Sequence, residues 1–498
     1  MNFETIIGLE VHAQLLTKSK MFCGCSTDYA STPPNTHVCP VCLGMPGVLP
    51  VINQQAIEYT IMTALTLNCT ISDYTKFDRK NYPYPDLMKG YQISQYDAPI
   101  GRGGWLDIEV NGEKKQIGIT RVHLEEDVAK LLHRASPDGE DYSLIDVNRS
   151  GVPLMEVVSE PDLRSPEETR QYLIKLRSIL QYLEVSTGNM EEGSFRCDAN
   201  ISIRPEDSSE TMSKVEVKNM NSFKAVYQAM DYEARRQRKA VADGRKLVQE
   251  TRGWLEEKGK TVAQRSKEYA HDYRYFPEPD LPPLTISREW VEEIRAKLPE
   301  LPEHRRDRFI TEYGLPLYDA NLLTSSRAMA DYFEDSTKTK EYKKLPPDKA
   351  AKEVSNWLLG EASRIMNAQN IGITEFKEQV SPAKFIKLLN IHLQGAVSST
   401  SAKVVFEEMF QTGTDSGEII AKHGLSQISD TRQLEGTVIE VIKSNVQAVA
   451  DFKSGKESAL KFLVGQVMKA TKGRANPAVV NEILKKKLAE GSDTGEKG

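Results

Sequence analysis

The chain has 498 residues, 39% of them hydrophobic and 27% charged, with a formal net charge of −6. This composition excludes a fibre or a disordered chain, and no stretch approaches the roughly 20 consecutive apolar residues that a membrane span needs. The acidic N-terminus lacks the basic region of a signal peptide, so we expect a cytoplasmic protein of roughly two to four domains without membrane contact.

The first predicted element is a β-strand over residues 6–15, where polar and apolar residues alternate. Glu10, His12 and Gln14 share its polar face, and apolar residues form the other face. Polar strand residues usually contact solvent, but a carboxylate beside an imidazole is also a suitable ligand pair for a metal ion.

Four of the six cysteines fall within twenty residues, as the pairs Cys23/Cys25 and Cys39/Cys42. Each pair can close a turn around one ion, and together they complete a tetrahedral four-thiolate shell, which in a reducing compartment is typical of zinc. The alternative is four free thiols in a loop. Because a four-thiolate shell leaves no open coordination position, the zinc would be structural.

A basic and aromatic segment follows over residues 76–95. Its lysines and tyrosines, among them Lys80, Tyr84 and Lys89, suit the binding of nucleotide phosphates and stacking on a base. The same composition also suits an ordered surface loop, and the sequence leaves both interpretations open.

A hairpin turn at Asn111-Gly112 joins two predicted strands, and the second of them continues into residues 119–130. His123 and Glu125 share one face of this strand, and Glu126 follows directly.

Acidic residues recur on two later strands. Glu156 interrupts an apolar run, and Asp198 lies on the polar face of an alternating strand over residues 196–203. Any one such acid is usually a solvated strand residue. Their repetition on separate strands favours convergence on a Mg2+ site that also holds nucleotide phosphates.

Two helices have clear start signals. Ser165-Pro166 is an N-cap followed by proline at the first helical position, and a second helix is predicted from about Ser222 to Asp243. Up to about residue 220 the rest of the chain reads as strands and turns, with one helix among them. From about residue 290 it reads as short helices punctuated by proline.

The pattern predicts an α+β fold with a large α+β domain, a helical domain and a small helical tail. Residues 461–487 of the tail contain seven basic residues and one acidic residue, which suits a polyanion or a solvated helix face. We expect four of these basic residues to contact phosphates, namely Lys461, Lys469, Lys472 and Arg474.

Several common motifs are absent from the sequence. It has no G-x-x-x-x-G-K-[ST] phosphate loop, no dinucleotide fingerprint, no G-x-S-x-G elbow and no glutaminase-type Ser/Lys segment. ATP binding would therefore have to occur without a Walker motif.

Long stretches of the chain resemble one family, the B subunits of the tRNA-dependent amidotransferase. The similar stretches extend over essentially the whole chain and are residues 6–15, 76–101, 119–130, 146–162, 191–205, 216–223, 272–284 and 462–477.

The resemblance implies a cradle-like mixed-sheet catalytic domain over residues 1–294, a helical domain over 295–400 and a helical tail that binds tRNA over 401–498. It also implies a heterotrimer with a glutaminase subunit, which frees ammonia, and with a small third subunit. This chain would use ATP and Mg2+ to phosphorylate the side-chain carboxylate of mischarged Asp-tRNA(Asn) or Glu-tRNA(Gln). Ammonia channelled from the glutaminase would then displace the phosphate.

The family's metal and phosphate site falls on four positions that the strand alternation had already grouped, Glu10, His12, Glu125 and Asp198. Lys80 and Glu126 match catalytic residues where the ammonia channel opens into the site. Neighbouring strand residues point to opposite faces, so one of Glu125 and Glu126 should bind metal and the other should line the channel. Only some members carry the cysteine quartet, and its presence here implies structural zinc.

Two other functional classes are less consistent with the sequence. A non-catalytic RNA-binding scaffold would suit the basic tail and the cysteines, but it has no reason to concentrate carboxylates. A stand-alone metal-dependent hydrolase would need a metal with an open position, which a closed thiolate site does not supply. Asp-tRNA(Asn) and Glu-tRNA(Gln) both stay open as natural substrates.

Overall fold

The computed structural model describes residues 2–136, 138–208, 210–266, 273–425, 431–471 and 475–490. The chain divides into two compact units, Met1–Leu301 and Pro302–Gly498. The first unit combines a large mixed sheet with helices and the described part of the second is helical, which confirms the predicted α+β class. No helix within the described ranges is long and apolar enough to cross a membrane.

The described strands all lie in the first unit. In chain order they are β1 (Phe3–Gln14), β2 (Thr70–Ile71), β3 (Tyr74–Thr75), β4 (Asp78–Asn81), β5 (Tyr91–Ser94), β6 (Gly101–Val110), β7 (Glu113–Glu126), β8 (Lys130–Ala135), β9 (Asp141–Asp146), β10 (Pro153–Ser159), β11 (Phe195–Pro205), β12 (Val215–Lys218), β13 (Glu250–Leu255), β14 (Lys260–Ser266), β15 (Phe276–Pro277) and β16 (Leu284–Thr285).

Nine of these strands form one sheet with the order β14-β13-β12-β11-β1-β10-β7-β6-β2. Its neighbours are antiparallel except for the parallel pair β12 and β13. The predicted hairpin between β6 and β7 is confirmed, since Asn111 and Gly112 both adopt positive φ angles, 54° and 83°, as a two-residue hairpin turn of this kind requires. The strands β4, β5 and β15 form a separate small sheet.

The helices of the first unit cover the apolar face of the large sheet. They are α1 (Gln54–Thr66), α2 (Pro166–Tyr182), α3 (Phe223–Ala242) and α4 (Arg288–Ala296). Both predicted starts are confirmed, because the Ser165 and Ser222 side chains accept hydrogen bonds from the backbone N–H groups of Glu168 and Ala225. Apolar residues of these helices and of the central strands form one continuous core.

The expectation of a single helix before residue 220 was wrong, because α1 also lies there. Its threonines favour a strand by propensity. In the structure the Thr60 and Thr63 hydroxyls donate to the carbonyl oxygens of residues four positions earlier, at 2.8 and 2.9 Å. Much of α1 is buried in the core, so it lacks the polar face that would have given a helical period.

The described helices of the second unit follow in chain order: α5 (Pro302–Tyr313), α6 (Leu317–Thr324), α7 (Arg327–Thr337), α8 (Ala350–Trp357), α9 (Ser363–Gln369), α10 (Ile373–Gln379), α11 (Pro382–Leu393), α12 (Ser399–Thr412), α13 (Ser416–His423), α14 (Thr431–Ser444), α15 (Val446–Lys453), α16 (Glu457–Ala470) and α17 (Pro477–Glu490). One hydrophobic cluster joins residues between Phe309 and Ile420, and another joins residues between Leu434 and Leu488.

Of the basic tail residues singled out above, Lys461 and Lys469 are exposed on α16. Lys472 and Arg474 lie outside the described residues.

Candidate active site and metal centre

The polar face of the large sheet collects side chains from four neighbouring strands. The register places His12 on β1 opposite Glu156 on β10, and Glu156 opposite His123 on β7. Residues that are directly opposite in an antiparallel pair project from the same face of the sheet, about 4.5–5.5 Å apart at Cβ. The alternation along each strand and the register between strands therefore bring His12 together with His123 and Glu156, although His12 is more than a hundred positions away from both in the sequence.

His12, Glu125 and Glu156 form the tightest acidic group on this face. The Nε2 atom of His12 lies 3.6 Å from Glu125 Oε1 and 3.6 Å from Glu156 Oε2. One ligand atom from each of the three residues lies within 4.8 Å of the others. Two carboxylates and one imidazole are a donor set that fits a divalent cation such as Mg2+.

Glu156 is a member of this group that the resemblance did not supply. It is buried, and its Oε2 also lies 3.2 Å from Nε2 of His123. Burial opposes its ionisation, but the neighbouring His123, His12 and Lys80 outweigh burial and hold its pKa below the usual value. Its sequence signal was an acid within an apolar run, which grouped Glu156 with the other recurring acids, although the ligand set implied by the resemblance does not include it.

Glu10 and Asp198, the other two predicted ligands, lie directly opposite each other on β1 and β11. Glu10 accepts a hydrogen bond from the Asn200 amide at 2.9 Å, and Asp198 accepts one from the Lys218 ammonium at 2.7 Å. The structure therefore brings all four predicted ligands to one face. Glu10 and Asp198 make polar contacts beside the His12 group instead of belonging to it.

A cavity of about 250 Å³ opens at this group. Its walls include predicted site residues and several that were not predicted; they are His12, Lys80, Tyr82, Gln92, Glu125, Asp127, Val128, Leu154, Arg196 and Asp198. Acids and two cations thus share one cavity, so anionic groups of a substrate can be bound there beside a metal ion.

Lys80 is one of these cations. Its Nζ lies 5.0 Å from the ring centre of Tyr273 and 5.9 Å from that of Tyr82. Burial alone would lower the Lys80 pKa, but the carboxylates of Glu125 and Glu156 outweigh it and raise the pKa. Lys80 is therefore a permanent positive charge, and within the described part of the chain it takes part in no ion pair shorter than 4 Å.

Arg196, the second cation, was not predicted. Its guanidinium lies 3.0 Å from the buried Asp127 carboxylate, which also contacts Arg149 at 3.8 Å and accepts a hydrogen bond from Gln14. Although burial opposes it, the two arginines lower the pKa of Asp127. Asp127 thus holds Arg196 at the cavity wall.

Glu126 points to the other face of β7, as the alternation predicted for adjacent strand residues. Its two carboxylate oxygens accept hydrogen bonds from the Lys89 ammonium at 2.5 and 2.6 Å, and one also accepts the Ile93 N–H at 2.9 Å. Lys89 was predicted to contact a nucleotide, and the structure pairs it with Glu126. Tyr84, predicted for the same role, is 56% exposed.

Two smaller cavities lie on the Glu126 side. The first is lined by Cys23, Cys42, Lys89 and Glu126 among others, and the second by Lys89, Glu126, Asp127 and others. The second shares Asp127 and Val128 with the acidic cavity. Successive cavities with shared walls therefore extend from the cysteines past Glu126 to the acidic site.

The four predicted cysteines converge. One Sγ from each lies within 4.8 Å of the others, and the Cys39 and Cys42 sulfurs are 3.9 Å apart. Four thiolates around a tetrahedral zinc at 2.3 Å would be about 3.8 Å apart. The Cys42 sulfur also accepts a hydrogen bond from the Cys39 N–H at 3.1 Å. The geometry fits a structural zinc ion.

Comparisons with known proteins identify the family to which the chain belongs. The GatB/GatE catalytic domain family matches residues 5–292, and the GatB domain family matches residues 331–488. Proteins named as B subunits of aspartyl/glutamyl-tRNA(Asn/Gln) amidotransferase are similar over nearly the full length. That of Dehalococcoides mccartyi (strain CBDB1) is 62% identical over 98% of this chain and 99% of its own length. That of Carboxydothermus hydrogenoformans is 53% identical, with coverage of 98% and 99%. The chain therefore belongs to the family of aspartyl/glutamyl-tRNA(Asn/Gln) amidotransferase B subunits.

Proposed function

We propose that this chain activates the side-chain carboxylate of mischarged Asp-tRNA(Asn) or Glu-tRNA(Gln) with ATP and converts it to the amide. The observation that carries the proposal is the His12, Glu125 and Glu156 group, of which His12 and Glu125 line one cavity together with the cations Lys80 and Arg196. The full-length similarity to amidotransferase B subunits supports the substrate class.

His12, Glu125 and Glu156 would hold Mg2+, with Glu10 and Asp198 beside them. Bound there, the ion would neutralise the phosphate charges that meet a carboxylate during phosphoryl transfer. Lys80 and Arg196 bind and orient the anionic groups of ATP and of the substrate. Their positions are maintained by neighbours, the tyrosine rings for Lys80 and Asp127 for Arg196.

Glu126 and Lys89 would take part in the transfer of ammonia to the activated carboxylate. Glu126 lies on the opposite face of β7 from Glu125, and the cavities beside it share walls with the acidic cavity. A carboxylate in this position can take up the proton that an incoming ammonium ion releases before attack. We therefore assign metal binding to Glu125 and ammonia transfer to Glu126.

The proposed partners are a glutaminase subunit that supplies ammonia, a small third subunit of the same heterotrimer, and the mischarged tRNA, all in the cytoplasm. The glutaminase is needed because the chain carries no glutaminase-type nucleophile motif. We further propose that residues 1–294 form the catalytic domain, 295–400 a helical domain and 401–498 the tRNA-binding tail.

The direct test is reconstitution of the heterotrimer with each mischarged tRNA, glutamine, ATP and Mg2+. We expect amide formation on at least one of the two aminoacyl-tRNAs, together with tRNA-dependent ATP hydrolysis. A heterotrimer that leaves both aminoacyl-tRNAs unchanged would refute the proposed function.

The zinc site gives a separate prediction. Protein purified without added metal should contain one zinc ion per chain by elemental analysis. The double variant Cys39→Ser/Cys42→Ser should lose the ion, whereas Cys69→Ser, a buried cysteine outside the cluster, should keep it. Freshly purified wild type without zinc would mean that the four cysteines are free thiols.

A further prediction concerns tRNA binding by the tail. Replacing the exposed Lys461 and Lys469 with glutamine should weaken tRNA binding, and each lost phosphate contact should reduce the slope of log K against log salt by roughly 0.9. The matched control is Lys258→Gln, an exposed lysine of the first unit. Equal salt slopes for the double variant and the wild type would show that Lys461 and Lys469 of α16 do not contact the tRNA phosphates.

A further inference from the structure

The cysteine cluster and the Lys89–Glu126 pair lie on the same side of β7. The turn that carries two of the cysteines runs from Cys39 to Met45 and is closed by three backbone hydrogen bonds. Their donors are the N–H groups of Leu43, Gly44 and Met45, and their lengths are all 3.0 Å. One cavity is lined both by cysteines of the cluster and by Lys89 and Glu126.

Gly44 is the point where this turn touches the Lys89 segment. Its φ angle is +66°, and a Cβ atom built on it would lie 2.7 Å from Cγ and 3.0 Å from the backbone nitrogen of Lys89. It would also lie 3.0 Å from the carbonyl carbon of Met88. Two of these neighbours are backbone atoms, so a side chain at position 44 can be accommodated only if one of the two segments shifts.

The Lys89 segment in turn sets the surroundings of Glu126. The Lys89 ammonium contacts both carboxylate oxygens, and the Ile93 N–H, four residues later, donates to one of them. The Glu126 side chain is only 6% exposed, so water cannot readily replace a lost partner. A displacement of residues 88–93 would therefore be transmitted directly to the Glu126 carboxylate.

We propose that the metal-bound cysteine turn positions Lys89, through the close packing of Gly44, and thereby holds Glu126 in place. Gly44 and Lys89 are positioning residues in this scheme, and the zinc ion keeps the turn rigid enough to act as a support. The effect on amide formation rests on the proposed function, whereas the effect on the Lys89 segment does not.

The chain offers a matched pair of substitutions. Gly47 lies in the same loop with a φ angle of +82°, but a Cβ atom there would have no neighbour within 4 Å. Alanine strains the backbone to a similar degree at either position, because both glycines have positive φ angles. Only Gly44→Ala also introduces a steric clash with Lys89. Any difference in behaviour between the two variants therefore reports on the contact between Gly44 and Lys89.

The first measurement is hydrogen exchange of the full chain, followed in peptides that cover residues 87–94. We expect Gly44→Ala to speed exchange of the Gly90 and Ile93 amides roughly tenfold, while zinc content stays at the wild-type level. Gly47→Ala should exchange like the wild type, and zinc removal by chelation should resemble Gly44→Ala. Equal exchange in the two glycine variants, or loss of zinc from Gly44→Ala, would overturn the proposal.

The second measurement uses the heterotrimer and counts amide formed per ATP hydrolysed. We expect this ratio to fall for Gly44→Ala, to recover in part at high free ammonia and to stay unchanged for Gly47→Ala. In a Lys89→Met background, Gly44→Ala should add no further loss, because it acts through Lys89. Additive losses would overturn the proposal, whereas a wild-type heterotrimer without any amide formation would refute the function and leave the exchange result standing.

Discussion

Glu125→Gln is expected to abolish tRNA-dependent ATP hydrolysis and amide formation together, with a loss of roughly 100- to 1000-fold in kcat. The buried Glu125 carboxylate lies 3.6 Å from His12 and lines the same cavity as Lys80 and Arg196. Without its charge, the proposed site should no longer bind the metal ion that would balance the phosphate charges. ATP hydrolysis is measured as phosphate release in the presence of mischarged tRNA.

Glu126→Gln is the matched comparison, because it removes the adjacent carboxylate from the opposite face of β7. We expect it to keep appreciable tRNA-dependent ATP hydrolysis, to lose glutamine-driven amidation and to recover in part at high free ammonia. If Glu125→Gln kept full hydrolysis while Glu126→Gln lost it, the two roles would be reversed.

Glu156→Gln and Asp198→Ala test how far the metal site extends. Glu156 belongs to the tight group around His12, whereas Asp198 is paired with Lys218. We expect both to lose ATP hydrolysis, and Glu156→Gln also to raise the Mg2+ concentration needed for half-maximal rate in any residual activity. An unchanged Mg2+ dependence for Glu156→Gln would exclude Glu156 from the site.

The largest expected effect on stability is that of Glu233→Gln. Glu233 lies on α3 with no exposed surface, and its carboxylate is 2.9 Å from Arg236 and 3.2 Å from Arg252. In Glu233→Gln the two arginines would keep only Glu250 as an ionic partner, and we expect the lost charge-assisted contacts to cost roughly 1–3 kcal/mol.

The measurement is urea-induced unfolding followed by circular dichroism, with Asp231→Asn as the control. Asp231 lies on the same helix and pairs with Arg235, but the Arg235 side chain is 72% exposed. Exposed pairs contribute about 0–1 kcal/mol, so this variant should unfold at nearly the wild-type urea concentration. Similar midpoints for the two variants would show that the Glu233 network does not stabilise the first unit.

Local signals in the sequence were sufficient to predict features that are determined by residues close together in the chain. The serines before α2 and α3 satisfy backbone N–H groups of the first turn, so the helix starts could be read directly. Strand alternation predicted that Glu10, His12, Glu125 and Asp198 each lie on the polar face of their own strand. It could do so because the side-chain period within a strand does not depend on how the strand pairs with others.

Register and long-range contacts could not be predicted in this way. Glu156 lies opposite His12 only because β1 pairs with β10, and no local pattern encodes that pairing. Tyr273 contacts Lys80 across almost two hundred residues of sequence. The contact of Lys89 with Glu126 likewise depends on how the segment before β5 folds against β7, which composition does not specify.

The adjacency of Glu125 and Glu126 on β7 imposes a parity rule on insertions and deletions. Removing one residue from this strand near its C-terminal end would exchange the faces of every side chain that follows, as it does in any strand with a period of two. Glu125 would then lie on the side of the cysteines, and Glu126 would lie on the side of His12. Changes of two residues would restore the alternation. Insertions or deletions at the Asn111-Gly112 turn, which precedes this strand and lies far from the acids, should therefore be tolerated. A one-residue insertion or deletion beside Glu125 and Glu126 should abolish activity.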